Sequence, residues 1–178
     1  MSIGRHTDEP APVGTVVRVL QRNAGLRAHL GRFVYVSRAY RVPYLAGSSI
    51  DGGTVYIDSQ TPELFPISRV EPDEGYPPHE QAEWWLMVML GMDYDRAHRL
   101  AHGIEQYRLK LAGVSDERIE QYEAESRGLV NIDEHLALPP EAFPPDLYLG
   151  PYESDEDKTD KRLLPLLQTA QMIRRNAA

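Results

Sequence analysis

The chain has no cysteine. Disulfides and thiolate metal ligands are therefore excluded, and any bound metal must be held by His, Asp or Glu. It also has no apolar run of membrane-spanning length. Met1–Pro12 is polar, without the apolar core of a signal peptide. Both absences make a cytoplasmic protein the expectation. Positive charge is scarce: 19 Lys and Arg stand against 27 Asp and Glu, for a net charge of −8. That balance argues against a general nucleic-acid binder, whose phosphate contacts need clustered Lys and Arg. It argues equally against a polybasic membrane surface. No internal repeat of useful length is present.

What remains is a chain of 178 residues, 42% hydrophobic and 26% charged. These are ordinary values for one soluble domain with a real core. Residues 1–13 read as a flexible tail, 14–138 as a single α+β domain, and 139–178 as an extended linker and C-terminal helix. Thr15–Leu20 is compatible with a strand or with a helix running to Leu30. Phe33–Val36, aromatic and β-branched, predicts a strand. Tyr44–Ser49 and Thr54–Asp58 flank Asp51-Gly52-Gly53, a hairpin pattern. Thr61–Pro78 is proline-rich and predicts a loop.

Pro77 and Pro78 then precede His79-Glu80-Gln81-Ala82-Glu83, followed by an apolar run that stops at Gly91. Pro at the start and Gly at the end predict a helix over His79–Leu90. Asp93 is a suitable N-cap for a second helix over Tyr94–Ala112, and Gly91-Met92-Asp93 is short enough to make the two helices antiparallel neighbours. Ser115 caps a third helix, Asp116–Ser126, ended by Gly128. Pro139–Asp160 reads as an extended acidic stretch. Leu163, Leu166, Leu167, Ala170 and Ile173 follow the spacing of a last amphipathic helix.

The chemistry sits on the first two of these helices. His79 and Glu83 are i and i+4 and share a face, with Glu80 about 100° round the helix. Two ligands one turn apart, with a Glu beside the first as general base, is the geometry of metal-assisted hydrolysis. A catalytic zinc takes three protein ligands. His79 and Glu83 supply two, and His98 is the preferred third, because Glu83 and His98 lie at comparable heights on either side of the short turn. His102 is the alternate, and Glu105 a carboxylate that would orient a histidine. On the plainer alternative, His79 and Glu80 are exposed first-turn residues, and His98 and His102 ordinary surface residues.

The set His79-Glu80-x-x-Glu83, Gly91-x-x-Tyr94-x-x-Ala97-His98 and Glu105 resembles a zincin-type metallopeptidase core. More narrowly, Tyr44 to Gly113 is similar to small bacterial and phage proteins in which a hairpin ending in Thr-Val-Tyr-Ile-Asp precedes a His-Glu-x-x-Glu helix. The resemblance implies an α+β fold, a small antiparallel sheet or hairpin packed on a helical core. It departs from the usual zincin motif in carrying Glu83 where that motif ends in His.

These features lead to a zinc (or other divalent metal) hydrolase acting on a peptide or protein substrate. His79, Glu83 and His98 would hold the metal, and Glu80 would be the base. Tyr44, Tyr56 and Tyr94 are candidate oxyanion donors, and Thr54–Asp58 could pair with an extended substrate. The alternative is a non-enzymatic binding or assembly protein that docks a partner through its C-terminal arm. A third reading is a two-metal carboxylate site drawing on Glu80, Glu83, Asp95, His98, His102 and Glu105.

Overall fold

The computed structural model describes residues 9–42, 45–61, 77–129, 139 and 142–148. Within them the chain runs α1 (Val13–Arg22), α2 (Ala24–Leu30), β1 (Tyr35–Ser37), β2 (Ala46–Ser48), β3 (Thr54–Ile57), α3 (Pro77–Leu90), α4 (Tyr94–Leu111) and α5 (Asp116–Leu129). The fold is α+β. Tyr44, the 62–76 segment and the predicted helix Leu163–Ile173 lie outside the described residues.

The segment that suited either strand or helix is helical. Pro12, with φ −56°, stands before the first turn of α1, and Asn23 closes its last turn by donating from Nδ2 to Val19 O at 2.8 Å. Val16, Val19 and Leu20 form one stripe and face the core. The residues ahead of α1 are tied down, with Ala11 N donating to Arg99 O at 2.9 Å.

The predicted hairpin is present: β2 pairs antiparallel with β3, with Ser48 opposite Val55. β1 then pairs parallel with β3 on its other side, so the sheet is mixed, in the order β1-β3-β2. Strand β3 therefore fills the slot between β1 and β2. This corrects two expectations. The sheet is not purely antiparallel, and β3 has no free edge on which a substrate strand could pair. Asp58, at the end of β3, anchors the β1–β2 connection: Oδ2 accepts from Val42 N at 2.8 Å and Arg41 Nε at 3.0 Å. The outer edge of β2 is covered by residues 146–148, with Ile50 N donating to Asp146 O and Tyr148 N to Ser48 O.

Helices α3 and α4 form the centre. Gly91 has φ +66°, a left-handed conformation that lets the chain reverse within three residues. Asp93 Oδ1 then accepts from Arg96 N at 3.0 Å and starts α4. Leu86 and Ile104 are fully buried between these helices. Truncating either to Ala would cost about 2–5 kcal/mol. Trp84 links α3 to the hairpin, donating from Nε1 to Ile50 O at 2.8 Å, and stacks on His29 of α2. Helix α5 starts where expected, with Arg118 N donating to Ser115 Oγ. It runs through Gly128 instead of ending there. No helix among the described residues is long and apolar enough to cross a membrane.

Candidate metal centre

Because α3 and α4 are antiparallel across a three-residue turn, the start of α3 meets the middle of α4. His98, His102 and Glu105 are i, i+4 and i+7 on α4, one face of the helix. They meet His79, Glu80 and Glu83 of α3. The three imidazoles converge: ring centroids are 4.5 Å apart for His79 and His102, 4.6 Å for His98 and His102, and 5.1 Å for His79 and His98. One nitrogen from each ring falls within 4.8 Å of the other two. A zinc-type ion in that space would be held about 2.0–2.1 Å from each nitrogen.

The carboxylates stand behind the histidines. His79 Nδ1 is 3.1 Å from Glu105 Oε2, and His98 Nδ1 is 2.7 Å from Glu83 Oε2. His102 Nδ1 faces Glu105 Oε2 at 3.6 Å. Nδ1 of His79 and of His98 thus meets a carboxylate at hydrogen-bond distance, and Nδ1 of His102 faces one. Histidines that bind metals are commonly oriented in this way. Glu83 also approaches His79 Nε2, at 3.6 Å. The expected trio His79, Glu83 and His98 is therefore assembled, and His102 joins it. Tyr94 stacks on His98 with ring centroids 5.2 Å apart.

Burial rules out the surface-residue alternative for the cluster's inner members. His79, Glu83 and Glu105 are only 8%, 7% and 6% exposed, while His98 and His102 are half-buried. The electrostatics follow. Burial pushes the His79 pKa down, but hydrogen bonds to Glu105 and Glu83 outweigh it and hold the group well above the usual histidine value. Burial pushes Glu83 up, yet its bonds with His79 and His98 bring the carboxyl to about 2. Glu105 behaves likewise, held well below the usual range against burial by His102 and His79. His102 is lowered, by burial first and then by the charge on His79.

Glu80 goes the other way. Burial raises it most, His79 opposes, and Glu83 and Glu105 add to the rise, leaving its carboxyl at about 8. Glu80 lines a small cavity with Ser48, Glu83, Trp84 and Tyr148. A carboxyl that titrates near neutrality and borders a cavity suits general acid–base work.

Two of the tyrosines named from sequence separate clearly here. Tyr56 donates to Asp146 Oδ1 at 2.6 Å, and burial and that carboxylate raise its pKa, so it is committed to the sheet edge. Tyr94 is at the cluster. Asp95 is exposed in the first turn of α4. Sequence reasoning missed Tyr122, Ser48 and Tyr148. Tyr122 of α5 donates to Glu105 Oε1 at 3.1 Å. A signal for it existed: a buried carboxylate with one oxygen serving histidines needs a donor for the other. Ser48 Oγ donates to Glu80 O at 3.2 Å, and Tyr148 Oη to Met87 Sδ at 3.6 Å. Those contacts arise from tertiary packing and left no local trace.

No family model, curated protein or solved structure matches the chain.

Proposed function

We propose that this protein is a divalent-metal-dependent hydrolase of the zinc type, acting on peptide bonds. His79, His98 and His102 hold the metal in this reading. Glu83 and Glu105 orient the imidazoles from behind, and Tyr122 steadies Glu105. The observation that carries the reading is the convergence of three imidazoles from two helices, each with Nδ1 turned to a carboxylate. Assigning Glu83 to orientation instead of ligation rests on its 2.7 Å contact with His98 Nδ1.

A zinc-type ion bound there would lower the pKa of a bound water to about 7 and polarise the scissile carbonyl. Glu80, beside the histidines, would be the group that accepts a proton from the attacking water and passes it to the leaving amine. Its raised pKa matches both halves of this exchange. Tyr94 and Tyr148 are the phenols near enough to the cluster or its cavity to serve a developing oxyanion.

Glu80→Gln is the direct test. Glutamine keeps the size but cannot accept the proton, so bound metal should be unchanged while peptide hydrolysis falls by about 10²–10⁴-fold. Equal hydrolysis by wild type and variant would remove Glu80 from the mechanism. A second reading has its own support: His79 already lies between Glu83 and Glu105, an arrangement that satisfies its charge without an ion. In that reading the cluster is structural, and the protein binds or assembles without catalysis.

A further inference from the structure

Net charge conceals how charge is distributed along this chain. Between Glu9 and Asp51 there is no acidic residue, yet there are six arginines: Arg18, Arg22, Arg27, Arg32, Arg38 and Arg41. The rest of the chain then carries 13 cations against 27 anions, a net of −14. Such asymmetry marks a surface for a charged partner even where the whole molecule is acidic.

Two of the six are half-buried and held by partners across the fold. Arg41 pairs with Asp58, and Arg38 donates to Thr61 O. The other four, Arg18, Arg22, Arg27 and Arg32, are exposed, and none pairs with a carboxylate among the described residues. Arg18 and Arg22 are one turn apart on α1. Arg27 reaches back from α2 to Leu20 O and Gln21 O, which places its guanidinium at the end of α1 beside Arg22. Arg32 follows α2 and directly precedes Phe33 and β1. There the surface changes character: Phe33 is 88% exposed and Tyr35 63%. β1 is an outer strand of the sheet.

From this run of exposed arginines followed by exposed rings we infer that the α1–α2–β1 stretch binds single-stranded nucleic acid. The arginines would take successive phosphates, and Phe33 and Tyr35 would stack on bases. Arginine matches phosphate through two parallel N–H bonds, and exposed rings accept any base by its face. Exposed rings have no such use against a duplex, whose bases are already stacked. A lipid surface fits less well, because the apolar stripe of α1 is spent on α4 and cannot insert. This face is separate from the histidine cluster, and its test needs no metal.

The test is fluorescence anisotropy of a labelled oligothymidylate over a salt series, in chelator. Four phosphate contacts predict a log–log salt slope of about −3, since each contributes about −0.7 on single strands. Arg18→Gln with Arg22→Gln should reduce the slope to about −1.5. Phe33→Ser with Tyr35→Ser should weaken binding by about tenfold or more and leave the slope unchanged. All four positions are exposed, and unchanged unfolding midpoints would confirm intact variants. Arg32→Gln replaces any variant that fails to fold. Polyglutamate, an anion without bases, should bind at least about tenfold more weakly, by the same loss of stacking. No oligonucleotide binding at the lowest salt overturns the inference. Equal binding of polyglutamate, or indifference to the Phe33 and Tyr35 changes, overturns it as well.

Discussion

At the scale of single residues, two histidines in this small chain have opposite electrostatic fates. Burial lowers the His79 pKa, but the two carboxylates that flank it outweigh burial and hold it well above the usual histidine value. His29 lies against Trp84, its Nε2 has no hydrogen-bond partner among the described residues, and its pKa is lowered, by burial first and then by Arg32. The folded protein therefore binds a proton at His29 less readily than the unfolded chain, where imidazole titrates near 6.5. The stabilising contribution of neutral His29 is complete above that pH and is lost as pH falls through and below it. His29→Phe keeps the stack on Trp84 and removes the titration. Thermal unfolding of the variant should fall less steeply than wild type between pH 7 and pH 5.5, a window that brackets the unfolded value of about 6.5. Parallel curves would show that His29 is not a source of acid sensitivity.

At the scale of elements, the packing of α1 on α4 depends on an absent side chain. Gly103 lies in the middle of α4, where Ala is intrinsically better by about 1 kcal/mol. A Cβ there would stand 2.7 Å from both Ala11 O and Val16 Cγ2. The segment ahead of α1 cannot simply move away, because Ala11 N is bonded to Arg99 O. Gly103→Ala should therefore destabilise the protein by about 1–3 kcal/mol in denaturant unfolding, against its helix propensity. A stabilised variant would mean that α1 yields freely. The elements most readable in the sequence were those with local punctuation: the Pro77–Gly91 and Asp93–Gly113 boundaries and the Asp51-Gly52-Gly53 turn. From the two helices and their short link, the meeting of Glu83 with His98 followed directly. The parallel β1–β3 pairing did not, because it joins segments 19 residues apart in register, Tyr35 to Thr54, with no turn between them to mark it. The extension of α5 past Gly128 was equally hidden, since a single Gly weakens a helix without having to end it.

At the scale of the molecule, whole-chain quantities were the poorest guides. A net charge of −8 averages a stretch without acids, 10–50, with a strongly acidic remainder, so it does not report the charge of any one part. The helical period placed Glu83 and His98 correctly, but it could not separate a carboxylate that ligates from one that orients, because that depends on which imidazole nitrogen it meets. The cluster itself ties the fold together: α3, α4 and, through Tyr122, α5 all contribute side chains to it. The central claim is that this junction is a metal centre. It is tested most directly by metal content per chain, measured on protein purified without chelator and again after incubation with micromolar zinc. The account predicts one metal per wild-type chain and steep loss in His79→Ala, His98→Ala and His102→Ala. Glu83→Ala should bind about 10–100-fold more weakly but still fill at excess zinc, as expected of a residue that orients a ligand. If Glu83→Ala loses the metal and His102→Ala keeps it, the carboxylate is the third ligand. If wild type takes up no zinc at micromolar concentration, the metal centre, and the hydrolase built on it, are contradicted.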